Sequence, residues 1–133
     1  MVIARLLAIL VLALSCACAA APAAGAGAAA GVWAYDQYSD AGGEIVLAHP
    51  PDSVYAAAEA VARARGMNVN PVPGSQRVEC TVDKAEVSFT VIVVPGADNV
   101  ARLRVYAREP LRARGDLARD LALQVQLRLD PAR

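Results

Sequence analysis

The chain has 133 residues, with 13 acidic and 13 basic side chains and no formal net charge. That balance argues against a nucleic-acid protein, whose binding surface is strongly basic. Three cysteines and one histidine are too few for a structural zinc centre, because two of the cysteines sit near the start of the chain.

Met1 to Arg5 carries one positive charge, and Leu6 to Leu14 is an unbroken apolar run. The run has the length of a signal-peptide apolar region. It is too short to cross a bilayer, which takes about 20 apolar residues. Two cleavage readings follow. Ala13-Leu14-Ser15-Cys16 resembles the lipobox of bacterial lipoproteins, with Ala13 where that motif prefers Leu. The resemblance implies that residues 1–15 are a signal peptide, that cleavage falls before Cys16, and that Cys16 carries a diacylglycerol thioether and an acylated amine. One acyl chain binds a membrane marginally and two or more hold it stably. The resemblance also implies an address: Ala17 stands where Asp commonly retains a lipoprotein at the inner membrane, so the outer membrane, facing the periplasm, is expected. The other reading takes Ala17-Cys18-Ala19 as an ordinary small-residue cleavage site, which would release a soluble periplasmic or secreted protein. An uncleaved helix from Val2 to Trp33 is a third reading. Gly27 and Gly31 have the spacing that lets membrane helices approach closely, but Pro22 and the weakly apolar Ala/Gly composition argue against it. Lipidation at Cys16 is the reading taken forward.

Residues 16–43 read as an Ala/Gly-rich tether. A flexible linker over 19–31 would span on the order of 20 Å. At its end, Trp33, Tyr35 and Tyr38 either sit at the membrane interface, where amphipathic rings concentrate, or open the first strand of the domain.

A small domain is expected over 44–130. Glu44 to Ala48 reads as a strand between Gly42-Gly43 and Pro50-Pro51. Asp52 reads as the cap of a helix over Ser53 to Arg65, with Gly66 as its terminator. Glu59 and Arg63 are an i,i+4 pair on its wet side. Met67 to Val72 reads as an edge strand, because its prolines cannot serve a central one. Arg77 to Asp83, Glu86 to Val94 and Val100 to Arg108 alternate apolar and polar residues, the mark of a sheet wet on one side. A tight turn is expected at Asp83-Lys84. Leu121 to Leu129 alternates like a strand, but Leu117, Leu121, Val125 and Leu129 also fall at helical spacing, and a helix is expected. The architecture is then α+β: a two-layer sandwich in the order β-α-β-β-β-α. An antiparallel sheet of about four strands carries two helices on one face.

The whole arrangement resembles a family of small bacterial lipoproteins of uncharacterised function. The shared features are the lipobox signal, the Gly25 to Ala28 tract leading to Trp33-Ala34-Tyr35, a helix opening with Ser53-Val54-Tyr55-Ala56-Ala57-Ala58 and ending at Gly66, and a last helix beginning near Gly115-Asp116-Leu117. The resemblance implies the fold and the address and brings no catalytic site.

The chemistry-bearing residues are sparse. His49 lies in a strand-to-helix turn beside Asp52 and Ser53. A catalytic dyad would need a nucleophile held to it and an acid orienting it, whereas Asp52 is explained as a helix cap. No catalytic residue, metal or cofactor is expected. Cys80 is alone in the domain, so it forms no disulfide there and reads as a small buried apolar residue. The strongest surface candidate is the polar side of the sheet, with Arg102, Arg104, Tyr106 and Arg108 beside Ile92. Arg clusters suit phosphates and carboxylates. The alternative is a solvated face whose arginines pair with Glu79 and Glu86 across strands. The functional expectation is a lipid-anchored envelope protein acting as a non-catalytic binding or structural module. Its partners would be the membrane, through Cys16, and an envelope protein. The alternative is a module binding a small ligand or lipid between sheet and helices.

Overall fold

The computed structural model describes residues 31–131. The signal, Cys16 and nearly all of the Ala/Gly tract lie outside them. The elements run β1 (Trp33–Tyr35), β2 (Gly42–Leu47), α1 (Pro51–Arg65), β3 (Met67–Val72), β4 (Arg77–Val82), β5 (Ala85–Val93), β6 (Ala101–Glu109), β7 (Arg112–Ala113) and α2 (Gly115–Leu129).

The fold is α+β with two helices, but the sheet has seven strands rather than about four, and the element order differs accordingly. Its order is β1-β2-β6-β5-β4-β3, with β7 added on β6. Every pairing is antiparallel. The two strands outside the expected set are short. β1 is Trp33-Ala34-Tyr35, so the sheet begins at Trp33 rather than Glu44. Trp33 packs on the core while Tyr35 is largely exposed, and the two rings meet edge to face at 5.8 Å. β7 folds back from β6 through Pro110-Leu111.

The alternation seen in the sequence sets the two faces. Ile45, Leu47, Val78, Cys80, Val82, Val87, Phe89, Val91, Leu103 and Val105 are buried on one side. Both helices lie on that side, α1 over β3 to β5 and α2 over β1, β2 and β6. Each helix presents a stripe at helical spacing. In α1 it is Val54, Ala57, Ala58, Val61 and Ala62; in α2 it is Leu117, Ala118, Leu121, Ala122 and Val125. The alanines let the helices sit close to the sheet. The strand-like alternation of Leu121 to Leu129 loses because Leu127 then points to solvent while the helical stripe is buried. Two polar contacts tie opposite ends of the antiparallel helices. His49 Nε2 lies 2.9 Å from both carboxylate oxygens of Asp130, and Arg65 lies 3.2 Å from Asp120.

Helix α1 begins earlier than expected. Pro50 is its N-cap and Pro51 its first residue, so Asp52 lies in the first turn and caps nothing with its side chain. Proline suits that place because its missing N–H would be unpaired there. Gly66 ends the helix in extended backbone, its N–H on the Ala62 carbonyl. Glycine is needed for space, since a Cβ would come 2.9 Å from that carbonyl oxygen and 3.0 Å from Cys80 Sγ. Left-handed backbone appears instead at Asn68, where β3 carries one extra residue against β4. Asn is among the residues that tolerate it. Asp83 and Lys84 both have positive φ in a two-residue hairpin, as strand twist requires.

Candidate functional site: the open face of the sheet

The side of the sheet away from the helices presents four rows of side chains. At the end where the described chain enters, Gly31 donates to the Val46 carbonyl, and Val46, Arg102 and Ile92 form a row. Glu44, Arg104, Thr90 and Arg77 follow. Next come Gly42, Tyr106, Ser88, Glu79 and Asn70. The last row is Arg108, Glu86, Thr81 and Met67. The five residues singled out from the sequence are therefore together on one face. Arg102, Arg104, Tyr106 and Arg108 line one strand, with Ile92 opposite Arg102.

The arginines pair differently from the sequence-based alternative. Arg102 and Arg104 both reach Glu44, at 3.5 and 3.3 Å. Glu79 takes Arg77 at 3.0 Å. Arg108 stands opposite Glu86 in register and forms no ion pair among the described residues. The reason is strand order. β2 lies beside β6 although 53 residues separate Leu47 from Ala101 in the chain, so Glu44 is the carboxylate next to these arginines. Exposed pairs of this kind contribute about 0–1 kcal/mol each, so their effect is mainly to hold the guanidinium groups in place.

Tyr106 is the hub of the face. Its hydroxyl donates to Asp36 in the loop between β1 and β2. The other Asp36 oxygen accepts from the Tyr38 N–H at 2.8 Å. These hydrogen bonds, led by that from Tyr106, hold the Asp36 carboxyl below the usual carboxylate range. The same bond, helped by burial, pushes the Tyr106 phenol up. Backbone bonds fix the rest of the loop. Asp36 N–H donates to Gly42 at 2.8 Å, and Ala107 N–H donates to Ala41 at 2.8 Å. Glycines let the strands approach. A Cβ on Gly42 would fall 2.0 Å from the Val105 oxygen, and one on Gly43 would fall 2.1 Å from the Ala34 oxygen.

Clasped this way, the loop leaves a cleft on each side of Tyr106. One, of about 460 Å³, lies between the loop, Glu44 and Arg104. The other, of about 510 Å³, lies over Ser88 and Glu79, between Tyr106 and the bulge of β3, with Arg108 and Glu86 at its end. Both fall in the range of about 300–1,000 Å³ found for ligand clefts.

The remaining singled-out residues lie elsewhere. His49 meets Asp130 at the ends of the helices, and no hydroxyl or thiol hydrogen-bonds it among the described residues. Cys80 is a buried free thiol on the helix side, its pKa raised by burial. Among the described residues, no group of three acidic, His or Cys side chains could hold a metal ion, and no helix is long and apolar enough to cross a membrane. Asp36 was missed from the sequence because nothing local marks it: its partner lies 70 residues away. No protein-family model matches the chain, and no curated protein or solved structure is similar to it.

Proposed function

We propose that this protein is exported, held by a lipid on Cys16, and works in the cell envelope as a non-catalytic module that binds through the open face of its sheet. One observation carries the binding part. Among the described residues both helices cover one side of the sheet and no element covers the other, which carries two clefts around a fixed tyrosine. The anchor rests on the apolar run and the lipobox-like Ala13-Leu14-Ser15-Cys16. The two parts fit one another. The chain reaches the fold at Gly31, beside the Val46 row, while Tyr106 lies four residues along β6 from Arg102, about 13 Å further on at strand spacing. The face thus extends away from Gly31.

The test of the anchor is metabolic labelling with a fatty acid, comparing wild type with Cys16→Ser. Label and membrane retention both depend on Cys16 if the proposal holds. An unlabelled wild-type protein in the soluble fraction contradicts it.

A further inference from the structure

We infer that the larger cleft on the open face is a saccharide site, and that the ligand is a neutral, hydroxyl- and amide-bearing glycan of the envelope. This rests on the open-face reading above and names its ligand.

The position is informative. The cleft occupies the two rows farthest from Gly31, over Ser88 and Glu79. The three most exposed large apolar side chains of the described residues are sequence neighbours of this end of the face and lie outside the cleft's lining, Tyr38 on the other cleft and Leu111 at the turn beyond β6. Tyr38 is 89% exposed and adjoins Ser39 of the cleft; Met67 is 71% exposed and adjoins Asn68; Leu111 is fully exposed at the turn after Arg108. The opposite end of the same face has no comparable set, Val32 being its most exposed apolar side chain at 60%.

The chemistry selects the ligand class. The cleft offers donors and acceptors side by side: the Asn70 amide, the Ser88 hydroxyl, the Glu79 and Glu86 carboxylates and the Arg108 guanidinium. A sugar hydroxyl both donates and accepts, so it matches such a lining. Its C–H faces match the Tyr106 ring, which lines the cleft. Anions fit poorly, because two carboxylates outnumber the single arginine of the cleft. An apolar ligand fits poorly, because the outward-facing floor is Ser88, Thr81 and Glu79. Glu79 is already occupied by Arg77 and Asn70, at 3.0 and 3.5 Å, which leaves a preset acceptor rather than a free charge. By contrast Arg102 and Arg104, which would suit an anion, are held by Glu44 at the other end.

The experiment is an NMR titration of the mature chain, residues 16–133 carrying Cys16→Ser. The probes are chitobiose and chitotetraose, both neutral and bearing hydroxyls and amides. The expected result is shift changes confined to Asn70, Glu79, Ser88, Tyr106 and Arg108. Binding should fall at least about tenfold in Ser88→Tyr, which fills the cleft from an outward position, and in Asn70→Ala on the edge strand. Arg119→Ala, on the exposed side of α2, should bind as wild type. The saccharide proposal is overturned if neither probe moves these residues at millimolar concentration, or if both variants bind unchanged. A photo-crosslinker at position 88 in living cells separates the two claims. Capture of an envelope protein with no glycan response overturns the saccharide and leaves the binding face. Silence from both overturns the binding face as well.

Discussion

The Tyr106 hydroxyl donates to the Asp36 carboxylate across 70 residues of sequence, and that bond closes the β1–β2 loop onto the open face of the sheet. It divides the face into two clefts and fixes one wall of each. Tyr106→Phe removes the bond without changing the ring. The Tyr38 and Ala41 amides should then exchange with solvent faster, while the core amides of β5 keep their protection. Unchanged loop exchange would mean that backbone bonds alone hold the loop.

The same bond gives a pH signature at both ends of the scale. Asp36 is lowered by its hydrogen bonds, and Asp116 is lowered by its hydrogen bond from Arg114. Their contribution to stability is fully present above the unfolded aspartate value of about 3.9 and is lost as pH falls through the folded values. Tyr106 is raised, so its contribution is fully present below about pH 10 and is lost as pH rises through the folded value. Tyr55 is also raised, in its case chiefly by burial. Ultraviolet titration of tyrosinate should therefore show late steps from Tyr106 and Tyr55. Tyr106→Phe should remove one of these late steps. If it removes an early one, the bond to Asp36 does not form in solution.

Phe89 is the largest fully buried side chain, at the centre of β5 under α1. Phe89→Ala should cost about 3–5 kcal/mol, since it deletes the ring and leaves a cavity. Urea unfolding followed by circular dichroism would measure it. A loss below about 1 kcal/mol would mean that this position is not at the centre of the core.

Two backbone positions make opposite predictions. Gly43→Ala places a Cβ 2.1 Å from the Ala34 carbonyl oxygen, so β1 must shift or detach. A loss of about 1–3 kcal/mol is expected, together with exposure of Trp33 by fluorescence. Lys84 holds φ at +70° in the β4–β5 turn, where glycine is unstrained. Lys84→Gly should stabilise by up to about 1 kcal/mol, the cost of a left-handed residue with a side chain. Thermal unfolding of the two variants side by side would show the opposite signs.

The two layers were legible from alternation and helical spacing. Val78, Cys80 and Val82, then Val87, Phe89 and Val91, mark their strands because one side is dry and the other wet. The stripe from Leu117 to Val125 marks its helix. β7 was not legible, and β1 was legible only as one of two readings of Trp33 and Tyr35, the other being the membrane interface. Three and two residues are too few for a period, and each is a strand only because a partner lies beside it. Strand order was equally hidden, which is why Glu79 and Glu86 were the expected partners of Arg102 and Arg104 and Glu44 is the real one. The candidate face was legible residue by residue along β6. Its shape was not, because the clefts depend on a loop whose anchor, Asp36, has no local signature.

The central claim is that the open face works and the helix face only supports it. A photo-crosslinking amino acid placed at Thr90, in the middle of the open face, and at Arg119, exposed on α2, tests this most directly in living cells. The account predicts a specific envelope adduct from position 90 and none from position 119. Adducts from position 119 alone would contradict it and move the working surface to the helices.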